Sequence, residues 1–236
     1  MKKYASLLIL LTLSLNGIAQ ELSGNELLEK AIQYHDPQDQ WKSFRGSFLI
    51  TMDSPNRPQR NSKIILDLPR SFFRIDVELE EKTTTYILEG DRCSFLLNGS
   101  NDFTPEEEKT NHLNCDRANL WKDYYTYLYS LPMKLKDPGT KLDPVVNKRS
   151  FKGKEYLVLK VTYDKEVGED TWYFYFNPGT FAMEVYQFFH DESKNDGEYI
   201  LLSGEETIQG IRMPRVRAWY YNKDDGYLGT DTLSAN

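Results

Sequence analysis

The sequence is poor in the residues from which most active sites and metal centres are built. It has two cysteines and three histidines in 236 residues, and none of the familiar His/Cys spacings that hold zinc occurs among them. His35-Asp36 and His190-Asp191-Glu192 are the histidines with adjacent carboxylates. Neighbours on a strand point to opposite faces, so adjacency alone does not make a ligand pair. The 14 glycines are scattered at turns instead of being gathered before a helix, which excludes a phosphate-cradling loop. No G-x-S-x-G elbow occurs, and Glu205-Glu206 falls where a solvated strand edge is expected. The expectation is a non-enzyme with no catalytic residue, no metal and no cofactor; His190 is the one candidate a hydrolase would have.

Long apolar runs are also lacking, with one exception. Ala5 to Leu15 is apolar, follows Lys2 and Lys3, and precedes the small residues Gly17 and Ala19, the layout of a signal peptide cleaved after Ala19. The run is shorter than the roughly 20 residues of a membrane span, so no transmembrane segment is expected. No cysteine follows it to carry a lipid anchor. Residues 1–19 are therefore expected to be removed, and residues 20–236 to form one domain, a monomer, in the periplasm or outside the cell.

An excess of basic residues is the third absence. Lys and Arg number 29 against 36 Asp and Glu, a net charge of −7. Such a surface disfavours nucleic acid and anionic lipid headgroups as partners, but not apolar ligands. The many aromatic side chains, 14% of the chain, are for the same reason read as core or cavity lining, not as base-stacking platforms. Cys93 and Cys115 would meet an oxidising compartment. They form either a disulfide closing a loop of about 20 residues, worth about 3 kcal/mol, or a pair of buried thiols.

What is present is a change of period. Gly24 to Tyr34 places Leu27, Leu28, Ala31 and Ile32 on one side at helical spacing. From Phe44 the period becomes two, and five strands with short connections follow. Phe48 and Ile50, then Leu66, then Phe73, Ile75 and Val77, then Tyr86 and Leu88, then Phe95 recur on one face. The stretch Leu120 to Gly139 returns to helical spacing, with Leu120, Tyr124, Leu128 and Leu131 on one side and Pro132 ending or bending it. Asn98 to Lys109 and Lys141 to Lys148 read as irregular. Five further strands are expected between Tyr156 and Tyr221, with a hairpin turn at Asn177-Pro178-Gly179-Thr180. The residues after Asn222 read as a short edge strand or a frayed tail. About ten strands and two helical segments make an α+β domain. So long an antiparallel sheet should curl into an incomplete β-barrel, with the helices covering its concave face.

Several local patterns resemble the LolA/LolB superfamily of envelope lipoprotein carriers. Leu68-Pro69-Arg70-Ser71-Phe72-Phe73-Arg74-Ile75 is similar to the family's strand break at a proline followed by a phenylalanine-rich strand. Glu89-Gly90-Asp91-Arg92-Cys93-Ser94-Phe95 resembles its acidic-glycine turn before an aromatic strand, and Asn177-Pro178 its second-half hairpin. Gly210-Ile211-Arg212-Met213-Pro214 is similar to the Gly, hydrophobic, Pro ending found in sorting-protein-like members. The chain departs from the carriers in having Leu68 where they place a basic residue before the proline. The resemblance implies a secreted relative that binds a lipid or acyl chain inside the curled sheet. It implies a cavity lined by Phe48, Ile50, Leu66, Phe73, Ile75, Val77, Tyr86, Leu88 and Phe95, with Leu120, Tyr124, Leu128 and Leu131 on a covering lid. Alternation into a cavity and alternation into a filled core look the same in sequence. The alternative is therefore a structural or interaction module with a solid core and no ligand.

Overall fold

The computed structural model describes residues 22–235. The signal peptide expected over residues 1–19 lies outside them. Thirteen strands form a single antiparallel sheet: β1 (Arg45–Asp53), β2 (Arg60–Asp67), β3 (Phe72–Leu79), β4 (Lys82–Glu89), β5 (Arg92–Leu97), β6 (Thr140–Leu142), β7 (Asn147–Phe151), β8 (Lys154–Tyr163), β9 (Thr171–Phe176), β10 (Met183–Phe189), β11 (Glu198–Ile208), β12 (Ile211–Tyr221) and β13 (Tyr227–Ala235). Their spatial order is β5-β4-β3-β2-β1-β13-β12-β11-β10-β9-β8-β6, with β7 also paired to β8. The two ends do not meet, so the barrel stays open. Among the described residues three α-helices accompany the sheet: α1 (Gly24–His35), α2 (Pro105–Thr110) and α3 (Cys115–Leu128).

The two meanders are joined by the last strand. β13 lies between β1 and β12, with Ile50 opposite Leu233 and Arg217 opposite Asp231. The tail expected at an edge is thus a central strand. Its small and polar residues concealed this, because a half-buried strand is recognised by large apolar residues at alternate positions, and the buried positions of β13 are Gly229, Asp231 and Leu233. The stretch 141–148, expected to be irregular, contains the end of β6 and the start of β7, both short strands on β8. α2 occupies part of the expected loop; Thr104 and Glu107 form a capping box at its start, which satisfies two otherwise orphaned amides.

α1 begins at Ser23, whose hydroxyl accepts the Glu26 amide while the Glu26 carboxylate accepts the Ser23 amide. Its apolar side, Leu27, Leu28 and Ala31, is buried in the core. His35, at its end, is pinned from both ring nitrogens. The Met183 amide donates to Nε2 at 2.9 Å, so Nδ1 carries the proton and donates to the Arg212 carbonyl at 2.7 Å. One side chain thereby ties α1 to the starts of β10 and β12, and burial holds its pKa below the ordinary value.

Candidate ligand-binding site

The inner face of β1 to β5 is built in rows. Phe48 pairs with Ile64, Ile64 with Ile75, Ile75 with Tyr86, and Tyr86 with Phe95. A second row runs Leu66, Phe73, Leu88 and Cys93. Strand alternation alone puts these side chains on one face. All but Phe95 and Cys93 are fully buried, and together with Ile50 and Val77 they belong to a single core cluster.

α3 and the segment after it cover this face. Asn114 caps the helix by accepting the Arg117 amide at 2.8 Å, and a disulfide from Cys93 on β5 to Cys115 fastens its first turn to the sheet edge. The helix rests on Ala118, Tyr125 and Leu128, followed by Tyr129 and Leu131. Tyr124 is half-buried against Trp219, with ring centroids 6.4 Å apart. Leu120, expected on the same side, is 56% exposed. The reason is phase. The inward stripe runs through the buried Ala118, Tyr125 and Leu128 with the half-buried Trp121 stacked on Tyr125 at 5.7 Å, which leaves Leu120 and Tyr124 toward its margin.

Beneath α3 the apolar interior is interrupted by charge. Arg217 and Asp231 are each 1% exposed. They are cross-strand partners on β12 and β13, and both point under the helix. The Arg217 guanidinium lies 3.8 Å from the Tyr129 ring centroid; it donates to the Pro214 carbonyl at 2.8 Å and to the Leu128 carbonyl of α3 at 3.4 Å. Its Nε, both Asp231 carboxylate oxygens and the hydroxyls of Tyr125, Tyr129 and Tyr186 make no well-formed hydrogen bond within the protein, although Trp219 lies against Asp231, Arg217 against Tyr186, and Ser62 and Arg60 against Tyr125. Arg60 Nε, Ser62 Oγ and Trp219 Nε1 are in the same state. An unpaired buried polar atom costs about 1–3 kcal/mol, and native interiors contain few of them. Burial pushes the Asp231 carboxyl upward, against the pull of Arg217 and Arg60. It also raises the Tyr129 and Tyr124 hydroxyls well above their ordinary value, with the Asp231 charge adding to the effect.

Two clefts flank this cluster. One, of about 790 Å³, is lined by Arg60, Val77, Tyr86, His112, Arg117 and Trp121 among others. The other, of about 450 Å³, includes Met52, Tyr124, Glu198, Trp219 and Gly229. Val77 and Tyr86 therefore reach the first cleft and Tyr124 the second, while Phe48, Ile50, Leu66, Phe73, Ile75 and Leu88 sit inside the packed core. The residues that sequence reasoning passed over are Arg60, Ser62, Arg217, Trp219 and Asp231. The available signal was a charge at an inward position of an alternating strand, as with Asp231 between Gly229 and Leu233, all three buried.

The remaining histidines show no comparable convergence. His190 pairs with Asp170 at 2.7 Å on the exposed surface, and this hydrogen bond raises its pKa. Among the described residues no group of three or more His, Cys, Asp or Glu is placed to hold a metal, and no helix is long and apolar enough to cross a membrane.

An open antiparallel sheet, curled over helices that cover an apolar inner face, defines a LolA-like fold. The crystal structure of a LolA superfamily protein from Nitrosomonas europaea superimposes with a TM-score of 0.52 at 13% identity, over 90% of this chain and 91% of that one. A DUF1329 family protein from Desulfovibrio piger gives a TM-score of 0.49 at 8% identity, over 89% and 91%. No curated protein matches the chain. At the level of sequence, residues 2–236 match the profile described as "Family of unknown function (DUF6503)", and the chain belongs to that family.

Proposed function

We propose that this protein is a non-enzymatic binding protein of the cell envelope, periplasmic or secreted, which takes a lipid or acyl chain between α3 and the inner face of its sheet. Residues 20–236 act as one domain in this reading. The observation that carries it is the way the apolar inner face is closed. The rows across β1 to β5 are covered by a helix that is fastened covalently only at its first turn, and the interior beneath its last turns holds a buried charged pair, Arg217 and Asp231. A cover that buries charge gains less from closing than one over a wholly apolar core would. Phe48, Ile50, Leu66, Phe73, Ile75, Val77, Tyr86, Leu88 and Phe95 would contact the chain, and Tyr124, Leu128 and Leu131 would cover it. Leu120 faces solvent and drops out of this set.

One observation favours a second reading, an envelope interaction module with a filled core. Six of the proposed contacts are already packed in the core cluster, with none lining either flanking cleft. Native mass spectrometry of gently purified protein, followed by lipid extraction and titration with a fluorescent fatty acid, separates the two. A co-purifying lipid or saturable binding is the expected result. A bare protein that binds no fatty acid leaves the filled-core module.

A further inference from the structure

The smaller cleft, of about 450 Å³, lies where the margin of α3 meets the sheet. Met52 reaches it from β1, two positions beyond Ile50 on the same face, and Tyr124 reaches it from α3. Trp219 stands beside Tyr124, the two rings inclined at 17° with centroids 6.4 Å apart. The cross-strand partner of Trp219 is Gly229. An added Cβ there would lie 2.7 Å from the Asp53 carbonyl oxygen, so the turn after β1 packs close against β13. That turn carries Arg57, one of the two charged residues that line the cleft; the other is Glu198, at the start of β11. Among the described residues neither side chain makes a hydrogen bond or an ion pair. Glu198 is half-buried, and burial raises its pKa. His190 draws that pKa down, but its ring is hydrogen-bonded to Asp170 at 2.7 Å.

We propose that this cleft is the site of a zwitterionic phosphate–ammonium headgroup, with the ammonium held by Glu198 against Trp219 and Tyr124 and the phosphate held by Arg57. This rests on the reading of the protein as an acyl-chain binder and adds what the chain is attached to. Three observations select the chemistry. A carboxylate beside aromatic rings attracts an ammonium both by charge and through the negative faces of the rings, of which tryptophan is the strongest. Other rings of the protein already carry a cation, such as Trp121 under Arg60 at 5.0 Å and Tyr173 under Arg149 at 4.6 Å, whereas among the described residues none lies over Trp219 or Tyr124. Finally, the two charges are of opposite sign and stand on opposite walls. β1, β13, β12 and β11 lie side by side, so three strand spacings, about 14 Å, separate the Arg57 wall from the Glu198 wall. A group with an ammonium at one end and a phosphate at the other bridges that gap. The chain attached to such a head has a path inward, because Met52 continues into Ile50 and Phe48 on the inner face of β1 and Tyr124 belongs to the covering helix.

Two sources share this chemistry, a lipid headgroup and a free zwitterion. The test is calorimetric titration of the purified protein with lysophosphatidylcholine, lysophosphatidylethanolamine and the anionic lysophosphatidylglycerol, all with one acyl chain and below their micelle concentrations. Glycerophosphocholine and glycerophosphoethanolamine, the same heads without a chain, complete the set. The better of the two zwitterionic lysolipids should bind at least about tenfold more tightly than lysophosphatidylglycerol and than its own deacylated head. Glu198→Gln and Arg57→Gln change a half-buried and an exposed side chain, so the fold should survive. Each should weaken the preferred zwitterion about tenfold, the effect of about 1.4 kcal/mol. Glu198→Gln should leave lysophosphatidylglycerol unchanged or tighten it, whereas Arg57→Gln should weaken it too. Equal or tighter binding of lysophosphatidylglycerol, or a zwitterion affinity that Glu198→Gln does not move, overturns the headgroup site while acyl-chain binding stands. Binding of a fluorescent fatty acid without any lysolipid has the same consequence. A deacylated head that binds as tightly as its lysolipid upholds the zwitterion site and overturns its link to an acyl chain. Failure of every ligand, the fatty acid included, overturns both.

Discussion

His35 makes the most exposed claim of this structure, because a single buried ring links α1 to two strands of the sheet. Its ring is 1% exposed, with Nδ1–H donating to the Arg212 carbonyl and Nε2 accepting the Met183 amide. Replacing it with phenylalanine keeps most of the volume and strands one amide and one carbonyl. At about 1–3 kcal/mol for each buried group left unpaired, His35→Phe should cost about 2–6 kcal/mol at pH 7.5 in chemical denaturation. The pH dependence gives a second, independent handle. Burial depresses the folded-state pKa below the ordinary 6.5, although the Arg212 carbonyl and Glu205 pull the other way. Below about pH 6.5 the unfolded chain therefore binds a proton that the folded chain refuses. The contribution of His35 to stability is complete above that pH and is lost as pH falls toward the folded pKa, with a slope of up to about 1.4 kcal/mol per pH unit. Protonation of Nε2 also places two donors face to face with Met183. Wild type should thus lose stability between pH 7 and 5 more steeply than His35→Phe, in which this proton is absent. Parallel stability curves for the two proteins over that range, or a variant within about 0.5 kcal/mol of wild type at pH 7.5, would refute the reasoning.

Three other expectations concern packing and covalent structure. Cys93→Ser with Cys115→Ser opens a loop spanning a sequence separation of 22 and should lower the unfolding free energy by about 3 kcal/mol, an effect that a reductant reproduces on the wild type but not on the variant. The phase of α3 predicts that Leu120→Ser changes stability by less than about 0.5 kcal/mol, whereas Leu128→Ala costs about 2–5 kcal/mol; urea titrations giving the opposite order would place the helix about one residue out of register. Gly24 sits where an added Cβ would lie 2.1 Å from the Asp143 carbonyl oxygen, so Gly24→Ala should cost about 1–3 kcal/mol or more. At Gly168 the nearest atom would be 3.8 Å away, and thermal melts of Gly168→Ala should match wild type or exceed it slightly.

Much of the architecture was legible because strand alternation and helical spacing are local. Phe48, Ile50, Leu66, Phe73, Ile75 and Val77 declare an inward face by period alone, and each is buried. The stretches that misled are those where local chemistry and tertiary role diverge. Gly229, Asp231 and Leu233 are too mixed a set to announce a central strand, yet β13 is what joins the two meanders. Leu120 is the more apolar choice beside Trp121 and Tyr125, but stacked aromatic rings hold more contact area and decide which side of α3 is buried.

The sequence by itself determined the alternating faces, the amphipathic helices, the turn at Asn177 to Thr180 and the scarcity of groups for metal or nucleophilic chemistry. These follow from backbone periodicity and side-chain inventory, which do not depend on distant contacts. Only the tertiary structure decided that Arg217 and Asp231 face one another beneath Tyr125, Tyr129 and Tyr186. A charged side chain is ordinarily outside, and the local mark that Asp231 carries, an inward position between Gly229 and Leu233, does not say what it faces. Their burial results from the register of β12 against β13 and from the position at which the Cys93–Cys115 bridge fastens α3 over them. The first is a hairpin register and the second a disulfide across a separation of 22, and side-chain periodicity fixes neither.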